Sequence, residues 1–119
     1  MQRIFVVDDD PVIRMLVTEY LQHHGHSVEV LDSGQHCLDK LCSEVPDILV
    51  LDMLMPDMTG QEVLTNLKAN PTTAGIPVIM LSADRTMAGE AAGDVKADCY
   101  LQKPFDIKEV LAAIKALRD

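Results

Sequence analysis

The chain of 119 residues has no tryptophan and only two tyrosines and two phenylalanines. So few rings leave little surface on which a flat cofactor could stack. Its three cysteines, Cys37, Cys42 and Cys99, form no CxxC pair and no zinc spacing, which argues against a redox dithiol or a structural zinc site. An odd count of thiols and no targeting segment suit a reducing cytoplasm. Basic residues are scarce: 10 Lys and Arg stand against 19 Asp and Glu, for a net charge of −9, and no local cluster of bases offsets it. Nucleic-acid backbones and anionic lipid surfaces repel such a surface. Direct binding to nucleic acid or membrane is therefore not expected, and any action on DNA would need another domain or partner. No apolar run approaches a membrane span. The stretch Ile4 to Val7 stops at three acids, Asp8 to Asp10, and is too short and wrongly flanked for a signal peptide.

What is present describes a globular chain. Hydrophobic residues make up 48% of it, too many for disorder. The length fits one domain, residues 1–119, able to bury about 65% of its unfolded surface without a disulfide or structural metal. Ile4 to Val7, Ile48 to Leu51 and Val78 to Leu81 are continuous apolar runs, read as strands covered on both faces. Ser27 to Leu31 alternates and Cys99 to Leu101 is short with polar flanks; both read as sheet edges. Helical patterns lie between them. Asp10 and Pro11 start the first and Gly25 ends it, with Ile13, Leu16, Val17, Tyr20 and Leu21 expected on its inner face. Ser33 caps the second. Thr59 with Glu62 and Asp106 with Glu109 form capping-box patterns. Ile107, Val110, Leu111, Ile114 and Leu117 give the last helix its stripe. A weaker helix is expected over Asp84 to Val95, where Gly89 and Gly93 each cost about 1 kcal/mol relative to Ala. Alternating strands and helices predict an α/β three-layer sandwich of flavodoxin-like (βα)5 type, with a parallel sheet in the order 2-1-3-4-5.

In such a sheet the ligand site lies beyond the carboxyl ends of the strands. Strand one ends in Asp8 and Asp9, strand three in Asp52 and strand four in Ser82, while Lys103 and Pro104 follow strand five. Neighbouring carboxylates raise one another's pKa. A hard divalent cation relieves that cost, and oxygen ligands beside phosphate suit magnesium. A lysine can hold a phosphoryl oxygen as a point charge. Asp10 is better explained as a helix cap. The histidines His23, His24 and His26 read as a solvated helix end, and His36 as a helix residue without a partner. Met53, Met55 and Met58 read as adaptable packing after Asp52.

Together these pieces resemble the receiver domain of two-component response regulators, of the chemotaxis-regulator kind, over essentially the whole chain. The matching segments are Val-Val-Asp-Asp-Asp at 6–10, Leu-Asp-Met-Leu-Met-Pro at 51–56, Gly60, Leu-Ser-Ala at 81–83 and Lys-Pro-Phe at 103–105. The resemblance implies that Asp52 is the phosphorylated nucleophile, with Ser82 and Lys103 holding the phosphoryl group. It implies Mg2+ bound by Asp9, Asp52 and the backbone carbonyl of Leu54, with Asp8 acting through water. Ser82 and Tyr100 would form the switch, and a cis bond would precede Pro104. Implied partners are a sensor histidine kinase or phosphotransfer protein as phosphodonor, and a downstream protein or output domain. That partner would meet the face made by the Asp84 to Val95 segment, strand five and the last helix, a face that also implies a phosphorylation-dependent homodimer. The module would be a cytoplasmic signalling switch with slow self-catalysed chemistry, not a turnover enzyme. Two other readings compete. A haloacid-dehalogenase-type phosphatase also uses a strand-end Asp with magnesium, but wants a second Asp where this chain has Leu54. A flavin-binding protein would want a Ser/Thr-rich phosphate loop after strand one, where this chain has three acids.

Overall fold

The computed structural model describes residues 2–82, 96–103 and 105–118. The helix expected over Asp84 to Val95, and Pro104 with its peptide bond, lie outside the described residues. The elements are β1 (Arg3–Val7), α1 (Pro11–His23), β2 (Ser27–Leu31), α2 (Gly34–Leu41), β3 (Ile48–Asp52), α3 (Gly60–Ala69), β4 (Val78–Ser82), β5 (Cys99–Gln102) and α4 (Ile107–Arg118). The five strands form one parallel sheet in the order β2-β1-β3-β4-β5, as expected.

The period of two along each strand decides which layer each residue joins. Phe5 and Val7, Leu49 and Leu51, and Val78 and Met80 face one layer, with Cys37, Leu41, Val63, Leu64 and Leu67 of α2 and α3. Ile4 and Val6, Ile48 and Val50, and Ile79 and Leu81 face the other, with Val17 and Leu21 of α1 and Val110, Leu111 and Ile114 of α4. β3 and β4 are buried throughout and β1 from Ile4 onward, while β5 is only half-buried, which matches their predicted places. On the other edge, β2 leaves Val30 exposed.

The helix ends follow the sequence signals closely. Asp10 Oδ1 accepts from Val12 N–H at 2.9 Å with Pro11 in the first turn, and Gly25 leaves the helix at φ +88°, a conformation glycine adopts without strain. Thr59 and Glu62 complete a reciprocal capping box; Asp106 Oδ1 accepts from Lys108 N–H instead, with Glu109 N–H on the Asp106 carbonyl. Two expectations fail. Leu16 is 52% exposed and does not belong to the inner face of α1. Val17 and Leu21 already fill the line of contact, and Leu16 lies roughly 100° around the helix from Val17. His36 is not without a partner: its Nδ1 lies 3.2 Å from Asp32 Oδ1, one helical turn back. No described helix is long and apolar enough to cross a membrane.

Candidate phosphoacceptor and metal site

Register sets which strand ends meet. Val7 pairs with Leu51, and Asp52 pairs with Leu81. Asp8, the residue after β1, and Asp52, the last residue of β3, therefore stand side by side at the carboxyl edge. Ser82 ends β4, paired with Gln102, and Lys103 N–H donates to the Ser82 carbonyl at 2.6 Å. Lys103 is thereby turned back over the sheet edge. Its Nζ lies 3.1 Å from Asp52 Oδ1 and 3.4 Å from Asp8 Oδ2. Asp8 is fully buried, Asp52 and Ser82 nearly so, and Asp9 faces solvent.

One carboxylate oxygen from each of Asp8, Asp9 and Asp52 can be chosen so that all lie within 4.8 Å of one another, the only such acidic group of three among the described residues. Three carboxylates against one ammonium leave the pocket with surplus negative charge. Burial pushes the Asp52 carboxyl up, Asp8 pushes it further, and Lys103 and the Leu54 N–H oppose both, leaving a value of about 6. For Lys103, burial favours the neutral amine, but the bond to Asp52 and the charges of Asp52 and Asp8 outweigh it and raise its pKa. Lysine therefore stays charged while Asp52 sits near its titration point.

The donor set fits magnesium. Oxygens of an octahedral magnesium site are about 2.9 Å apart when adjacent and about 4.2 Å when opposite, so three donors within 4.8 Å of one another are close enough to be drawn together on one ion. All donors are hard oxygens, and an added cation would offset the burial and the Asp8 charge that together raise the Asp52 carboxyl.

The loop after Asp52 is built tightly against the site. Leu54 bridges Thr59, and Gly60 N–H donates to the Met53 carbonyl. A Cβ on Gly60 would come within 2.5 Å of the Asp52 carbonyl oxygen and 2.9 Å of Met53 Cα. Only glycine lets the start of α3 approach this closely, which is the physical reason for a residue the sequence marked merely as part of a pattern. At the loop tip, Asp57 Oδ1 accepts from Gly34 N–H and Oδ2 from Gln35 N–H. That contact crosses 23 residues and no local sequence signal foretold it.

The family model of the response regulator receiver domain matches residues 4–115. The chain belongs to the response-regulator receiver domains. Curated relatives include the response regulator MprA of Mycobacterium avium and of Mycobacterium tuberculosis, each 41% identical over 116 residues. Those alignments cover 97% of this chain and 50% of the relatives, so the chain spans about half their length. Among solved structures, the receiver resembles the chemotaxis response regulator CheY4 of Vibrio cholerae, with TM-score 0.90, 29% identity and 98% of each chain covered. It also resembles the response regulator TrrA of Thermotoga maritima, solved in complex with Mg(2+)-BeF, with TM-score 0.87, 32% identity, and 98% and 99% of the chains covered.

Asp8, Asp9, Asp52, Ser82 and Lys103 share the carboxyl edge. Leu54 lies in the adjoining loop, half exposed, with its N–H on the Asp52 carboxylate. Tyr100 lies apart on β5. It is half-buried, and its hydroxyl accepts from Ala97 N–H at 3.0 Å.

Proposed function

We propose that this receiver is switched by transfer of a phosphoryl group onto Asp52, from the phospho-histidine of a sensor histidine kinase or a phosphotransfer protein. The observation that carries the reading is the group of three carboxylates within 4.8 Å of one another beneath Lys103. Asp52 attacks phosphorus in line as the phosphorus–nitrogen bond to the donor imidazole breaks, and the imidazole leaves neutral after taking up a proton. Asp8, Asp9 and Asp52, with the Leu54 carbonyl, would hold Mg2+, which when bound neutralises charge on the transferring group. TrrA's complex with Mg(2+)-BeF supports that ion here. Lys103 offers its ammonium to a phosphoryl oxygen and Ser82 offers its hydroxyl to another. Drawing Ser82 toward the phosphoryl group would release Tyr100 to move, and the face around β5 and α4 would then engage a downstream protein or output domain.

The phosphodonor reading has independent support in shape. Val12, Met15 and Leu16 of α1 are each more than half exposed. Beside them a groove of about 940 Å³, lined by Ile13, Leu16, Tyr20, Phe105 and Ile107, reaches Lys103. An apolar groove ending at the phosphoacceptor site suits the helix of a phospho-histidine protein. The module acts as a slow switch, not a turnover enzyme. Leu54 occupies the place of the second Asp that a phosphatase of the haloacid-dehalogenase kind would use, and its apolar side chain cannot orient water.

Phosphoramidate with magnesium should add one phosphoryl group, read by intact mass at short times, and Asp52→Asn should take none. Equal labelling of the variant would overturn the assignment.

A further inference from the structure

The N-terminus of α2 has its first amides answered from two different places. Ser33 Oγ accepts from His36 N–H and the Ser33 carbonyl from Cys37 N–H. Gly34 and Gln35, the first two residues of the helix, donate instead to the two carboxylate oxygens of Asp57, at 3.1 and 2.8 Å. Those amides would otherwise lack an acceptor within the helix, and the positive end of the helix favours a carboxylate there. The hydrogen bonds from Gln35 and Gly34 hold the Asp57 carboxyl below its ordinary range, although burial acts weakly the other way.

Asp57 is also the tip of the loop that carries Leu54. The base of that loop is closed by the Leu54–Thr59 bridge and by Gly60 N–H on the Met53 carbonyl. Its flank is set by Met58, which packs so closely on Gly34 that a Cβ there would fall 2.2 Å from Met58 Cγ. Leu54 N–H reaches the Asp52 carboxylate. The loop is therefore held at its tip by the α2 N-terminus through Asp57 and at its base beside Asp52 through Leu54.

We infer that Asp57 is a positioning residue: by clamping the loop to the first two amides of α2 it fixes Leu54 against Asp52 and so tunes the affinity of the site for magnesium. The inference rests on the site reading above for its metal, but the clamp itself does not. Ser33 provides the control, because its hydroxyl caps the same helix through His36 N–H and not through Asp57.

Amide hydrogen exchange and magnesium titration by calorimetry, on wild type, Asp57→Ala, Asp57→Asn and Ser33→Ala, test it. In Asp57→Ala the Leu54 amide should exchange faster and magnesium should bind more weakly by about three- to tenfold, less than the 10–100-fold typical for a group bonded directly to a ligand. Asp57→Asn keeps one acceptor oxygen and should fall between Asp57→Ala and wild type. Ser33→Ala should loosen the start of α2 yet leave the Leu54 amide and the magnesium affinity at wild-type values. Equal effects from Ser33→Ala and Asp57→Ala would make Asp57 a mere helix cap and overturn the inference, as would an unchanged Leu54 amide in Asp57→Ala. A wild-type protein that takes no magnesium would overturn the tuning and the metal reading together, while the Leu54 exchange rates still decide the clamp.

Discussion

The two edges of the sheet treat charge in opposite ways. At the amino edge, acids meet donors. Asp47 accepts from Arg3 N–H at 2.7 Å, and Asp98 accepts from Val78 N–H at 2.8 Å, fixing the starts of β1 and β4. Around them Arg3 pairs with Glu44, and Lys40 bridges Glu29 and Glu44. Those pairings raise Arg3 and Lys40 and lower Glu44, so all stay charged. At the carboxyl edge, Asp8 and Asp52 share the ammonium of Lys103 while Asp9 stands beside them in solvent, and burial leaves Asp52 raised to about 6. The first arrangement is complete without a ligand. The second is incomplete, and incompleteness of charge marks the edge built to receive something.

The sharpest way to break this contrast is to remove the lysine. Lys103→Met should destabilise the metal-free protein by about 3 kcal/mol near pH 8, because it strands two buried carboxylates. The loss should shrink toward pH 5, as Asp52 takes up a proton, and should be partly recovered by magnesium. Thermal denaturation with and without 10 mM magnesium, on the order of the concentrations at which weak sites fill, checks both points. An unchanged melting temperature would mean the carboxyl edge is not strained.

Asp52→Asn should act in the opposite direction. The folded pKa of Asp52 lies above its usual value of 3.8, at about 6. Between those values the folded state binds more protons than the unfolded state, so this group's contribution falls as pH rises through that window and stays low above it. The variant should therefore match wild type near pH 4 and exceed it by up to about 3 kcal/mol above pH 6, at 1.36 kcal/mol per unit, in the absence of magnesium. Denaturant unfolding of both proteins across that range gives the difference directly. A gap that does not open with pH would deny the surplus of charge.

At the amino edge the effect should be smallest. Lys40→Met removes a partly exposed partner of Glu29 and Glu44, and such surface pairs add little and are screened by salt. Its melting temperature should fall less than that of Lys103→Met, and the difference from wild type should vanish in 1 M salt. A loss that survives high salt would show that the two edges are less different than their geometry indicates.

Much of this was legible in the chain itself. Apolar runs of the strands, the cap residues Asp10, Ser33 and Thr59, and Gly25 follow from local chemistry, because each signal acts within a few residues of itself. The strand-end residues Asp8, Asp9, Asp52, Ser82 and Lys103 could be assembled once the sheet order was inferred, since a parallel sheet aligns its carboxyl ends. Leu16 was misjudged because helical periodicity fixes a stripe but not its width, which the neighbouring layer sets. His36 was misjudged because its partner, Asp32, precedes the helix.

The sequence alone determined the fold class and the residue types at the site, since strand periodicity and strand-end chemistry are local properties. Tertiary structure alone decided how the site is poised. The 3.1 and 3.4 Å reach of Lys103, the elevated Asp52 and the Asp57 clamp on α2 depend on burial and on contacts between segments far apart in the chain. Burial and such contacts set the local dielectric and the distances between charges, and neither quantity is written at any single position.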